Sequence, residues 1–194
     1  MATEPLEPNR DQALVTHVRA STLGGLFRQI DSRGPEVRGL LVGSLSARAQ
    51  MVFREQLGPF QWVETPLVCE LVEVYEAGYG LEDVERRVEY TARQQLTVIH
   101  GWMMKLLTPE TIFQQASTLY RFNFRGGVAK AEDVRSGRAL VSIWSHGLYP
   151  SWYTHAFPAW LAGALRIIGA ASPQVEHSPP KTGYRHGYEI RWNR

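Results

Sequence analysis

The chain is poor in the features that most readily announce a function. It has one cysteine, Cys69, in 194 residues. That excludes an internal disulfide and fits a reducing compartment. No apolar run approaches the ~20 residues that span a bilayer. The opening Met1-Ala2-Thr3-Glu4-Pro5 lacks the basic-then-apolar order of a secretory leader, so the expected location is the cytoplasm. Neither sign of charge dominates: 21 Lys and Arg face 19 Asp and Glu, for a net +2. No basic cluster has the density that nucleic-acid binding requires. There is no G-x-S-x-G elbow and no phosphate-cradling G-x-x-x-x-G-K-[ST] loop. Gly24-Gly25, Gly78/Gly80 and Gly126-Gly127 instead read as turns and helix stops. The expectation is a protein that is not an enzyme and needs no cofactor.

Hydrophobic residues make up 44% of the chain and charged residues 21%, enough apolar content for one sizeable core. The balance of charge hides an asymmetry: residues 1–120 carry −4, and Arg121 onward carries +6. Residues 1–12, with Pro5 and Pro8, read as a flexible arm. The remainder, 13–194, reads as a single α+β domain, helical over about 13–125 and ββαββ over about 126–194. From Ala13 to Ile30 the pattern suggests a strand and then a helix. Pro35 opens a helix carrying Leu40, Leu41, Leu45, Val52 and Phe53. Thr65-Pro66 reads as N-cap and first helical residue of a stretch ending at Gly78. A second long helix is expected from Asp83 to Leu107, with Val84, Val88, Ala92, Ile99, Met103 and Leu106 inward. Thr108-Pro109 opens a third, with Ile112, Phe113, Ala116, Leu119 and Tyr120 inward, ended by Gly126-Gly127.

After Gly127 the period changes. Val128–Val134 and Arg138–Trp144 alternate around Arg135-Ser136-Gly137, a hairpin signal. A helix between Trp152 and Gly169 shows a wide apolar face of Phe157, Trp160, Leu161, Ala164, Leu165 and Ile168, with Pro158 in its first turn or kinking it. Residues 174–178 and 188–192 form a second hairpin, in which Tyr188, Ile190 and Trp192 share one face. The expected architecture is α+β: helices followed by a four-stranded antiparallel sheet packed on them.

Within this frame the strongest binding candidate is the aromatic cluster Trp144, Tyr149, Trp152, Tyr153, Phe157 and Trp160. Such a cluster lines an apolar ligand pocket, anchors a subunit interface, or fills ordinary core. His146, His155, His177 and His186 fall in the same half without metal-ligand spacing. If two converge, His155 with His177 is the expected pair. Ser145 and His146 are adjacent on a strand and point to opposite faces, which excludes a nucleophile–base dyad. Cys69 reads as core. Arg138, Arg185 and Arg191 mark a basic sheet face for a protein partner.

The order of elements, Tyr153, the helix phrase Gly163–Gly169, Val175-Glu176-His177, the turn at Gly183 or Gly187, and Tyr188–Trp192 resemble one superfamily. It contains haem–nitric oxide binding domains, 4-vinyl reductase domains and TRAPP Golgi-transport subunits. Thr65-Pro66, Leu71-Val72-Glu73, Glu85–Arg93, Leu107-Thr108-Pro109 and Tyr120–Gly126 are similar to a paralogous family expanded in myxobacteria, over roughly residues 60–194. The resemblance implies a homodimer whose helices and sheet enclose an apolar pocket. It also implies an adaptor or ligand-binding role, binding an apolar small molecule or a protein partner. A TRAPP-like module contacting a small GTPase or motility/polarity protein, or a haem or metal-dependent sensor, are the alternatives. Working residues do not carry over: the Tyr-x-Ser-x-Arg of haem binders meets only Tyr90-Thr91-Ala92-Arg93. The cysteines of 4-vinyl-reductase-type hairpins are absent near Ser178 and His186. Cys69 does not align with the acylated cysteine of TRAPP subunits.

Overall fold

The structure, a computed structural model, describes residues 7–81, 84–100, 108–180 and 183–193. Residues 9–12 fold where proline content suggested a flexible arm. Asn9 and Gln12 cap one another reciprocally at the start of α1 (Arg10–Ala13). The Gln12 and Ala13 carbonyls then accept from Gly127 and His146. β1 (His17–Arg19) follows, a 3-10 turn intervenes, and α2 (Gly24–Ser32) and α3 (Pro35–Gly43) come next. The apolar pattern from Leu40 to Phe53 belongs to two helices. α3 ends and Ser46 caps α4 (Ala47–Phe53) by accepting from the Ala49 N–H. Within α3, Leu41 and Val42 are inward while Leu40 is 73% exposed.

β2 (Trp62–Glu64) runs straight into α5 (Thr65–Tyr79), so Glu64, not Thr65, is the N-cap. The Thr65 N–H is already engaged by the Thr16 carbonyl. α5 passes Gly78 and stops at Gly80, whose φ of +71° a side chain would strain. α6 (Val84–His100) buries Val84, Ala92 and Leu96. Its expected extension through Met103 and Leu106 lies outside the described residues. The third expected helix is two, α7 (Pro109–Gln114) and α8 (Ala116–Asn123), with Thr108 as the cap. α8 ends before the glycines because β3 (Phe124–Arg125) joins β1, which also pairs with β2.

β4 (Val128–Arg135), β5 (Arg138–Trp144), β6 (Ala171–Ser178) and β7 (Arg185–Asn193) form the antiparallel sheet, in the order β4-β5-β7-β6. Ala139, Val141 and Ile143 of β5 and Tyr188, Ile190 and Trp192 of β7 are buried on its inner face. One π turn, Trp152–Ala156, leads into α9 (Phe157–Ile167), with Pro158 just past the junction in the first turn of that helix. The α7, α8 and α9 helices lie on the sheet, and α6 packs on α9 and α2. Among the described residues, no helix is long and apolar enough to cross a membrane.

Candidate functional site

Where α6, α8 and α9 meet the inner face of the sheet they leave a cavity of about 90 Å³. Its walls are chiefly apolar, with Val18, Val68, Ile112, Ala129, Val141 and Leu161 among them. A few polar groups converge on it. The Trp160 indole N–H donates to Gln95 Oε1 at 2.8 Å, and Gln95 Nε2 donates to Asn123 Oδ1 at 2.9 Å. Asn123 Nδ2 closes the chain on the Leu119 carbonyl at 3.0 Å. Thr91 accepts from the Gly25 N–H at 2.9 Å and donates to the Arg87 carbonyl. Tyr120 is also in the wall, its buried hydroxyl lying against Gly127 and beside Ser145. Burial pushes the Tyr120 and Tyr149 phenols well above their ordinary range, so both stay protonated.

Four members of the aromatic cluster, Tyr149, Trp152, Phe157 and Trp160, line this cavity. Trp152 stacks on Phe157 with ring centroids 5.0 Å apart. Trp144 lies on the opposite face of the sheet, beneath the Arg185 guanidinium, because its strand parity opposes Ile143. Tyr153 turns toward the strand ends and stacks on His186 with centroids 3.9 Å apart. The segment is held by a charged anchor. The Ser151 hydroxyl donates to Glu76, which pairs with the buried Arg87 at 2.8 Å. This ties α5, α6 and the start of the π turn together.

The histidines do not gather as expected. His155 is exposed and meets Thr154, whereas His177 Nε2 lies 3.1 Å from His186 Nδ1. Alternation explains the pairing: both rings hang from the inner face of the second hairpin, beside Tyr188. Their planes differ by only 17° with centroids 5.3 Å apart, so the two nitrogens meet nearly edge-on, sharing one proton. His146 bonds the Arg10 carbonyl, and Ser145 donates to Tyr153, so this adjacent pair diverges. Among the described residues, no three His, Cys, Asp or Glu side chains are placed to hold a metal ion.

The histidine pair predicts a pH dependence. Burial lowers the affinity of both for protons, and the nearby His177 helps take His186 down to about 4. The unfolded chain protonates these rings near pH ~6.5. Between that pH and about 4 the folded state therefore binds fewer protons than the unfolded one. Their contribution is complete above the upper limit and declines as pH falls through this window. Melting temperatures of the wild type and His186→Phe, taken from pH 7 downward, are expected to converge toward acid. Parallel curves would contradict this.

Cys69 is half-buried, its thiol facing the Gly147 carbonyl, and burial pushes it up to about 11. It is therefore an unreactive thiol. Arg138, Arg185 and Arg191 share the outer face of the sheet, each matched by glutamate. Arg138 and Arg191 both reach Glu189, whose carboxyl the Arg191 hydrogen bond holds below its ordinary range. Arg185 reaches both oxygens of Glu132, at 2.7 and 2.8 Å. The face is a ladder of ion pairs, with little uncompensated positive charge. Sequence reasoning passed over Thr91 and Gln95, although polar residues at i and i+4 inside an apolar helical stripe signal a wall with polar tips.

No protein-family profile matches the chain, and no curated protein does. Solved structures do. An Fe(II) unliganded H-NOX protein from K. algicida aligns at a TM-score of 0.63 and 11% identity, over 90% of this chain and 95% of its own. A single-residue variant of that protein aligns at 0.69 and 8%, over 91% and 97%. A chain described in terms of haem redox potential modulated through porphyrin distortion aligns at 0.61 and 7%, over 91% and 99%. The chain has an H-NOX-like α+β fold. At these identities the likeness carries the fold and nothing finer.

Proposed function

We propose that the protein is a ligand-sensing domain, a binding and not a catalytic module, whose ligand site is the cavity between α6, α8, α9 and the sheet. One observation carries this reading: an apolar chamber with a few polar groups joined along its wall, Gln95, Asn123 and the Trp160 indole, is the usual make-up of a small-molecule site. The neighbours' association with iron and haem supports a sensor, the haem alternative, over an adaptor. The GTPase-contact alternative rests on Arg138, Arg185 and Arg191, and their pairing with glutamates leaves it little charge to work with.

The described walls of the cavity do not fit haem. They include no His, Cys or Met to meet the iron. The space is also well below the ~300 Å³ at which ordinary small-molecule sites begin. A compact apolar molecule fits these walls better. The absorption spectrum and native mass spectrum of the purified protein test both readings and count subunits. A bound small mass without Soret absorption, lost in the cavity-filling variant Ala129→Leu, is expected. A Soret band with the mass of haem assigns the ligand to haem instead.

A further inference from the structure

A larger space opens on the other side of Gln95. Between α2, residues 54–60 and α6 lies a cleft of about 800 Å³, and Gln95 is the one described residue in the walls of both spaces. The cleft carries Arg28, Arg38 and Arg54 against a single described carboxylate, Asp31. Arg38 already engages Asp31 at 2.8 Å. Arg28 lies over the Tyr90 ring at 4.2 Å, and Arg54 donates to the Gln50 side chain. Among the described residues, neither of these two meets a carboxylate.

An aromatic wall accompanies this charge. Phe27, Phe60 and Phe122 line the cleft, and Phe60 is 55% exposed there, its ring set edge-on to Phe122. From behind, the Arg19 guanidinium sits 4.2 Å from the Phe122 ring and 5.9 Å from Phe60, which holds the two rings in place. Two guanidinium groups without carboxylates beside an uncovered phenyl ring match an anion on a flat apolar body. The guanidinium forks suit a carboxylate, sulfonate or phosphate, and the rings suit an aromatic face. The volume lies within the ~300–1,000 Å³ of small-molecule sites.

We propose that this cleft is a second binding site, for a small aromatic anion, with Arg28 and Arg54 taking the charge and Phe60 the ring. It stands apart from the interior cavity and does not depend on what that cavity holds.

The test uses anilinonaphthalenesulfonate and its uncharged parent, phenylnaphthylamine, each titrated by fluorescence into the full chain. The sulfonate is expected to bind at least tenfold more tightly than the parent. The double variant Arg28→Gln, Arg54→Gln should lose that tenfold and bind the parent unchanged. Phe60→Ala should weaken both probes. Should the double variant fail to fold, salt on the wild type gives the same reading: about 0.5 M should weaken the sulfonate severalfold and spare the parent. Equal affinity for the two probes overturns the proposal, as does indifference of the sulfonate to the arginine pair. Ala129→Leu separates the two sites. If it abolishes sulfonate binding, the probe occupies the interior cavity, and the cleft assignment falls while the cavity reading stands.

Discussion

Arg87→Ala is expected to remove about 3–5 kcal/mol of folding stability, the usual loss when one partner of a buried ion pair is taken away. The Arg87 side chain is almost wholly buried, Glu76 is nearly so, and Ser151 also binds Glu76 through both carboxylate oxygens. Removing the guanidinium leaves a carboxylate in an apolar seam, with one hydroxyl to satisfy it. The loss should be smaller in the double variant Arg87→Met, Glu76→Leu, because no orphaned charge remains. Urea unfolding of the single and double variants measures this. A double variant as unstable as Arg87→Ala would show that packing, and not charge, holds the seam. Because Ser151 immediately precedes Trp152, the single variant should also loosen the aromatic wall of the cavity.

Gly25→Ala is expected to be as damaging by a different route. A methyl group there would stand 1.8 Å from the Arg87 carbonyl oxygen and 2.6 Å from the Thr91 hydroxyl. The obstacle is helix backbone, so α2 must retreat from α6 and the Gly25–Thr91 hydrogen bond is lost with it. Overpacking costs about 1–3 kcal/mol and occasionally more, and the upper end is expected where backbone must move. Gly39→Ala, in α3 with open space around it, is the control. It should stabilise by about 0.4–1 kcal/mol through lost freedom of the unfolded chain. Paired melting curves decide the matter. A mild Gly25→Ala would mean that α2 and α6 are not in close contact in solution.

The ββαββ half was readable in the sequence because alternation in Ala139, Val141 and Ile143, and the wide apolar face of α9, are long enough to carry a period. β1 and α2 fall within the strand-then-helix expected from Ala13 to Ile30, whereas β2 and β3 were hidden, since two or three residues have no measurable period and their pairing is set by distant partners. The break between α3 and α4 was masked because Leu40 continues the apolar spacing while facing solvent. Four of the six aromatics reached the cavity. Trp144 does not: on β5 its parity opposes Ile143, a signal that its place in the aromatic run overrode. His177 with His186 follows from strand register, which the sequence fixes only once the turn length is known. The cleft could not be read at all: Arg28, Arg38 and Arg54 come from separate segments, and their convergence depends on how the N-terminal helices pack.

The central claim, that the chamber beside Trp160 receives an apolar ligand, is tested most directly by xenon. The Trp160 indole N–H, bonded to Gln95 at the cavity wall, is the reporter to follow in a nitrogen-15 correlation spectrum. Apolar cavities admit xenon when they stay dry. The resonance is expected to shift saturably with xenon pressure in the wild type and to stay still in Ala129→Leu. A resonance that ignores xenon, or that moves equally in both proteins, would contradict the account.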